Sequence, residues 1–150
     1  MSQVSEENLR KVREIEFIIS KHLFLICSII TLIAMAMVTI GFFSQGSFPP
    51  SRIGFFYIAV LFVYSVHKEM LRWLGEKKIE RQGEYFLYSW IGLTIILHIV
   101  NFLTRDYFSY SPEGMPINTL QVVSFITLEV AAIFLFTRLS KLIKVILEKK

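Results

Sequence analysis

The Lys and Arg residues of this chain are very unevenly distributed among the polar segments that separate four apolar runs. All but two of the 16 Lys and Arg residues lie in the N-terminal segment, the middle connection and the C-terminal tail. Arg52 and Arg105 are the two in the remaining connections. Basic segments stay on the cytoplasmic side of a membrane, so this pattern predicts four spans with both termini in the cytoplasm.

The apolar runs have the length that a bilayer requires. The predicted spans cover about residues 23–43, 52–72, 85–103 and 119–139. A run of about 20 residues at about 1.5 Å per residue reaches about 30 Å, the thickness of the hydrocarbon core. The second run is the shortest and extends inward only if Lys68 and Arg72 reach back to the interface. The sequence predicts one all-α domain over residues 1–150, an integral membrane four-helix up-down bundle.

Apolar residues continue at helical spacing beyond the first and fourth spans, which predicts cytoplasmic extensions of helices 1 and 4. In an up-down bundle these two helices are usually neighbours, so their apolar stripes are expected to face each other. The alternatives are a docking surface for a partner and a helix that lies on anionic lipid. The predicted cytoplasmic interaction surface consists of Leu9, Val12, Ile15, Leu142 and Ile146.

A carboxylate, Glu129, lies near the centre of the fourth span, about ten residues and about 15 Å from its outer end. A mid-span acid costs about 2.5–3.5 kcal/mol on insertion scales, so it is expected to face protein or water and to have a partner. Side chains tilt toward the N-terminus of their helix, which brings His98 closer in depth to Glu129. The predicted intramembrane polar site consists of Glu129, His98, Asn101, Thr94, Tyr64 and Thr31.

Two interpretations of this polar site remain open. In the structural one, a protonated Glu129 is hydrogen-bonded to Tyr64, Thr94 or His98 and fixes the register of the helices. In the functional one, Glu129 and His98 form a proton or cation relay that opens to the outer side. Transporter sites often have a helix-breaking Gly or Pro pair, and the spans contain none.

Other classes of function have little support in the sequence. One cysteine, Cys27, allows neither an intrachain disulfide nor a Cys-x-x-Cys pair. His22 and His67 lie at the cytoplasmic ends of two spans, but no third ligand or haem-attachment motif accompanies them. The net charge of +4 follows from the topology and favours anionic lipid at the cytoplasmic face. The sequence therefore predicts no enzyme activity, cofactor, metal site or nucleic-acid partner.

The predicted function is that of a small, non-enzymatic accessory or interaction subunit. It is expected to be a multi-pass protein of the cell membrane, embedded in the lipid bilayer as a homo-oligomer or as part of a larger membrane complex. The alternative is a proton or cation channel or transporter that uses Glu129 with His98.

Overall fold

Long helices make up nearly all of the structure. The computed structural model describes residues 2–48, 53–73 and 83–148, with side chains from residue 11 to residue 147 apart from residue 13. The helices are α1 (Ser2–Phe43), α2 (Ile53–Trp73), α3 (Glu84–Leu103) and α4 (Thr119–Glu148), with a short 3-10 helix at Tyr107–Ser109. No strand forms within these ranges, so the predicted all-α fold is confirmed there.

All four helices are long and apolar enough to cross a membrane. The ranges that meet this condition are Glu14–Phe43, Ile53–Trp73, Glu84–Leu103 and Thr119–Leu147. The four predicted apolar spans are therefore confirmed as helices of sufficient length. Both α1 and α4 also continue past the predicted ends of their spans without a break, as the apolar spacing predicted.

The helices alternate in direction, and α4 lies between α3 and α2. Phe42 of α1 stacks on Phe108 with ring centroids 4.8 Å apart, and Gly54 of α2 approaches Ile126 of α4. A Cβ atom on Gly54 would lie 3.1 Å from Ile126 Cδ1, so the missing side chain allows α2 and α4 to approach closely. At the opposite end of the bundle, Arg72 of α2 donates to the carbonyl oxygen of Thr137.

Among the side chains that the structure describes, the α1 and α4 extensions do not pair as expected. α1 packs mainly on α2 and makes little contact with α4. The four described members of the predicted interaction surface are all more than half exposed: Val12, Ile15, Leu142 and Ile146. The side chain of Leu9 lies outside the described residues.

The orientation of α4 explains why its apolar stripe does not face α1. At the end of α2, Lys144 of α4 donates to the carbonyl oxygen of Arg72 at 2.5 Å. The polar face of α4 therefore turns toward α2, and its apolar stripe turns outward.

Aromatic side chains fill the centre of the bundle between α2 and α3. Trp90 and Tyr57 are fully buried, with ring centroids 5.4 Å apart, and Tyr64 packs edge-on against Phe86 at 5.9 Å. Aromatic pairs at such separations add packing energy beyond the area that they bury. These large side chains bridge α2 and α3 across the interior.

Candidate functional site

The six residues of the predicted intramembrane polar site do not lie together. Thr31 and Tyr64 lie in the core, Asn101 lies in the last turn of α3, and Glu129 and His98 are exposed. Thr94 lies at the α3–α4 interface. The structure thus divides the predicted polar layer into separate parts.

The core members hold local structure. The Thr31 hydroxyl donates to the Cys27 carbonyl oxygen at 2.7 Å, one turn back on α1. The Tyr64 hydroxyl is buried and has no hydrogen-bond partner among the described residues. Neither Thr31 nor Tyr64 makes a hydrogen bond to Glu129 in the part of the chain that the structure describes.

Thr94 meets a different residue of the fourth helix from the one expected. The Thr94 and Thr127 hydroxyl oxygens are 2.7 Å apart, and the Thr127 hydroxyl is also 2.8 Å from the Val123 carbonyl oxygen. Hydroxyl pairs of this kind join helices inside membranes, where each contributes about 0.6 kcal/mol on average. Two threonines therefore make a polar contact between α3 and α4 near the middle of α3.

Asn101 organises the connection at the outer end. Its Nδ2 donates to Asp106 Oδ1 at 2.7 Å, and its Oδ1 accepts from the Ser109 hydroxyl at 3.2 Å. Asp106 has a left-handed backbone conformation with φ of 62°, which an aspartate tolerates better than most residues. This buried amide fixes the turn that follows α3.

Glu129 lies on the exposed side of α4, away from the partners that the sequence predicts for it within its own chain. Thr127 faces α3, and a helix turns about 100° per residue, so Glu129 projects from nearly the opposite side. His98 is on α3, where its Nδ1 donates to the Thr94 carbonyl oxygen at 2.8 Å. Within the described residues no hydrogen bond or ion pair joins Glu129 to another group. The two members of the predicted relay are therefore apart.

The exposed side of α4 carries a regular repeat that includes Glu129. We call it the α4 stripe: Phe125, Glu129, Ala132, Phe136, Leu139, Ile143 and Ile146. Its members alternate at spacings of four and three residues, which is the pattern of the two core positions of a heptad repeat. All seven are exposed, and Glu129 is the one polar residue among them. The α4 stripe thus has the form of a helix–helix seam with a single polar position.

A second polar feature lies at the opposite end of the bundle from Asn101, between α2, α3 and α4. We call it the charged cleft, after the residues Lys68, Glu69, Arg72, Glu84, Arg138 and Lys141 that line it. It contains two adjoining cavities of about 40 and about 30 Å³. Below the charges, its walls are apolar and include Leu61, Val130 and Phe134.

Ion pairs hold the charged cleft in shape. Arg72 Nη1 donates to Glu69 Oε1 at 2.5 Å and to the Thr137 carbonyl oxygen at 3.3 Å. Arg138 pairs with Glu84 across the α3–α4 interface, and its guanidinium lies 5.0 Å from the ring centroid of Phe134. Lys68 and Glu69 are both buried. The sequence predicts that Lys68 and Arg72 reach the membrane–water interface. Their four-residue spacing, which places them on one face of α2, is the one feature of the sequence that points to this cleft.

The two histidines at this end of the bundle do not face each other. His22 Nδ1 donates to the Ile18 carbonyl oxygen at 2.8 Å, whereas His67 Nε2 lies 3.7 Å from Glu16 Oε2. Among the described residues, no group of three His, Cys, Asp or Glu side chains is placed to hold a metal ion.

Comparison of the chain with protein-family models, with curated proteins and with solved structures finds no match. The α4 stripe and the charged cleft are the two features of the described residues that bear on function.

Proposed function

We propose that this chain is a non-enzymatic interaction subunit of the cell membrane that associates with a second copy of itself through the α4 stripe. The four apolar helices cross the bilayer, and the basic segments keep both termini in the cytoplasm. The exposed position of Glu129 in the middle of α4 is the observation that carries this proposal.

The cost of exposing Glu129 to lipid supports a covered α4 stripe. The residue lies about 15 Å from the start of α4, and a glutamate side chain is far too short to reach the interface from there. A mid-span acid costs about 2.5–3.5 kcal/mol or more when it faces hydrocarbon. A protein partner on this face removes that cost by supplying a hydrogen bond.

A second copy of the chain fits the α4 stripe better than an unrelated helix does. Two copies inserted in the same orientation are related by a two-fold axis along the membrane normal, so each residue meets its equivalent at the same depth. Glu129 then lies opposite the partner's Glu129, where two protonated acids hydrogen-bond to each other. One polar residue in a heptad seam specifies register and the number of strands. Ala132, one turn further along the seam, leaves room for the two helices to approach.

Conduction by Glu129 with His98 has weaker support. No hydrogen bond or ion pair joins the two side chains within the described residues, so a proton path between them needs a further group. We therefore expect the parent chain and its Glu129→Gln variant, reconstituted in liposomes, to show the same proton flux.

Disulfide cross-linking across the α4 stripe tests the proposed association. In a Cys27→Ala background, Ala132→Cys is expected to form a covalent dimer on mild oxidation in native membranes, because the two thiols face each other across the axis. Ile95→Cys is the matched control, since Ile95 is exposed near the middle of α3 but lies off the stripe. Equal cross-linking of the two variants would contradict the proposed seam.

Thiol labelling in intact cells tests the proposed orientation. Glu113→Cys, in the connection after α3, is expected to react with a membrane-impermeant maleimide from outside, whereas Val12→Cys reacts only after permeabilisation. Val12 and Glu113 are both exposed, so accessibility within the protein does not limit either reaction. The parent chain should stay unlabelled because Cys27 is buried. Labelling of Val12→Cys from outside would reverse the orientation.

A further inference from the structure

The larger cavity of the charged cleft is lined by two side chains whose buried polar atoms lack a hydrogen-bond partner. These atoms are the Tyr64 hydroxyl and Glu69 Oε2, and neither has a partner among the described residues. Tyr64 is 2% exposed and Glu69 is 7% exposed. A buried polar atom without a partner keeps its full desolvation cost, so native structures pair nearly all such atoms. Two of them at one cavity therefore indicate that a further group binds there.

The two atoms restrict the chemistry of that group. Glu69 Oε1 already accepts from Arg72 Nη1 at 2.5 Å, so the second oxygen of the carboxylate is left as an acceptor that needs a donor. The Tyr64 hydroxyl can donate or accept. A hydroxyl group suits both atoms, because it can donate to Glu69 Oε2 and accept from Tyr64. An ammonium suits them less well, because it accepts no hydrogen bond and the positive charge of Arg72 lines the same cavity.

The size and walls of this cavity favour a hydroxyl that is attached to an apolar chain. A volume of about 40 Å³ holds about three groups of the size of a water molecule. Leu61, Val130 and Ile133 form an apolar part of the wall. A free polyol would bury further hydroxyls against this wall without partners, which is costly. A chain with a hydroxyl at one end avoids that cost, because its apolar part meets the apolar wall.

The position of the cavity along α2 agrees with the place of such a hydroxyl in a bilayer. Glu69 lies four residues before α2 ends at Trp73, which is about 6 Å along the helix axis. In the proposed membrane arrangement, this end of α2 lies at the cytoplasmic boundary of the hydrocarbon core. The acyl chains of cytoplasmic-leaflet lipids join their polar ends at that boundary. A lipid can therefore present a hydroxyl to Glu69 while its chain stays in the hydrocarbon.

We propose that the larger cavity of the charged cleft binds the hydroxyl end of a neutral acylglycerol from the cytoplasmic leaflet. The hydroxyl donates to Glu69 Oε2 and accepts from the Tyr64 hydroxyl, and the carbon chain lies along the apolar wall. The inference rests on the membrane insertion proposed above, but not on the association of two copies. The residues of α4 that line the cavity, Val130, Ile133, Phe134 and Thr137, lie off the α4 stripe.

Ligand titration of the full chain tests this site. The protein is purified in lauryldimethylamine oxide, a detergent without hydroxyl groups, and bound ligand is counted by native mass spectrometry. The probes are monooleoylglycerol, methyl oleate, oleylamine and glycerol. We expect saturable binding of monooleoylglycerol that is at least about tenfold tighter than binding of methyl oleate, which has the same chain but no hydroxyl. Oleylamine, which carries an ammonium, and glycerol, which has no chain, should both bind more weakly.

Three variants connect the binding to the two unpartnered atoms. Tyr64→Phe should weaken binding of monooleoylglycerol about three- to tenfold, because one hydrogen bond is lost. Its melting temperature without ligand should not fall, because the Tyr64 hydroxyl has no partner to lose. Glu69→Gln keeps one oxygen for Arg72 and should weaken binding at least about tenfold, since hydrogen bonds to charged groups are stronger. Tyr57→Phe is the matched control: it removes a buried hydroxyl of α2 that does not line the cavity, and it should bind like the parent.

Four results would overturn the proposed lipid site. Absence of saturable binding to parent protein recovered from the membrane fraction would mean that the cavity holds water only. Equal binding of methyl oleate would remove the role of the hydroxyl. Equal effects of Tyr64→Phe and Tyr57→Phe would place the bound lipid elsewhere. Tighter binding of oleylamine or glycerol would make an ammonium or a soluble polyol the ligand. Thiol labelling tests the membrane arrangement separately, so failed binding is distinguished from a wrong orientation.

Discussion

Replacing Trp90 with alanine is expected to lower the free energy of unfolding by about 3–5 kcal/mol. Trp90 has no exposed surface and is the largest fully buried side chain among the described residues. Inside a membrane the loss comes mainly from packing, since lipid is as apolar as the core and only close contact favours the folded bundle. The melting temperature in detergent should fall by roughly 10 °C or more for a chain of this size.

Two variants locate the origin of that loss. Trp90→Phe keeps an aromatic ring against Tyr57, so it should recover most of the lost stability. Phe55→Ala also removes a ring, but Phe55 is 84% exposed, so the expected change is within about 0.5 kcal/mol. Equal melting temperatures for Trp90→Ala and Phe55→Ala would show that the aromatic centre does not hold the bundle together.

Replacing Glu129 with lysine is expected to convert the proposed dimer into a monomer. Two ammonium groups would face each other at the seam, and juxtaposed like charges cost several kcal/mol, which corresponds to at least about a hundredfold weaker association. Glu129→Gln should remain a dimer because amide side chains also hydrogen-bond to each other. Glu129→Leu should associate without a single register and give a mixture of oligomers. Mass photometry or light scattering in mild detergent measures all three outcomes.

The control for this series places the same charge on another helix. Ile95→Lys introduces an ammonium near the middle of α3, where the side chain is 53% exposed. The cost of inserting this lysine into the membrane is similar to that of Glu129→Lys. Because residue 95 lies off the α4 stripe, the Ile95→Lys protein should remain a dimer. A dimeric Glu129→Lys protein, recovered from the membrane fraction like the parent, would exclude Glu129 from the interface.

The sequence predicts where each long helix lies in the chain better than it predicts which way a given residue faces. Helix ends follow from polar segments and from the length of apolar runs, and the structure confirms the four long helices. The side of α4 on which Glu129 lies could not be deduced from helix ends and run lengths, because most residues around it are apolar on every side of the helix. An acid in such a helix is expected to face inward, yet Thr127 is the residue that makes the contact with α3.

The charged cleft escaped prediction for a different physical reason. Lys68 and Arg72 end a short apolar run, and long basic side chains at that position normally reach toward water. Lys68 is buried, Arg72 pairs with Glu69 on its own helix, and Glu84 and Arg138 pair with each other from two helices that are distant in sequence. A cleft that is assembled from three helices leaves no periodic signal in any one of them.

The length of α4 has a consequence for how two copies would hold together. Its 30 residues extend for about 45 Å, so in the proposed membrane arrangement about 15 Å of the helix would lie beyond the hydrocarbon core in water. The hydrophobic effect would therefore bring two copies together at the end of the stripe that contains Leu139, Ile143 and Ile146. This effect has no counterpart between helices in lipid. The end near Glu129 would fix the register and the number of copies, and it would contribute less to the free energy of association. Cooling or mild denaturant should loosen the cytoplasmic half of the seam first, while the membrane half keeps the copies in register.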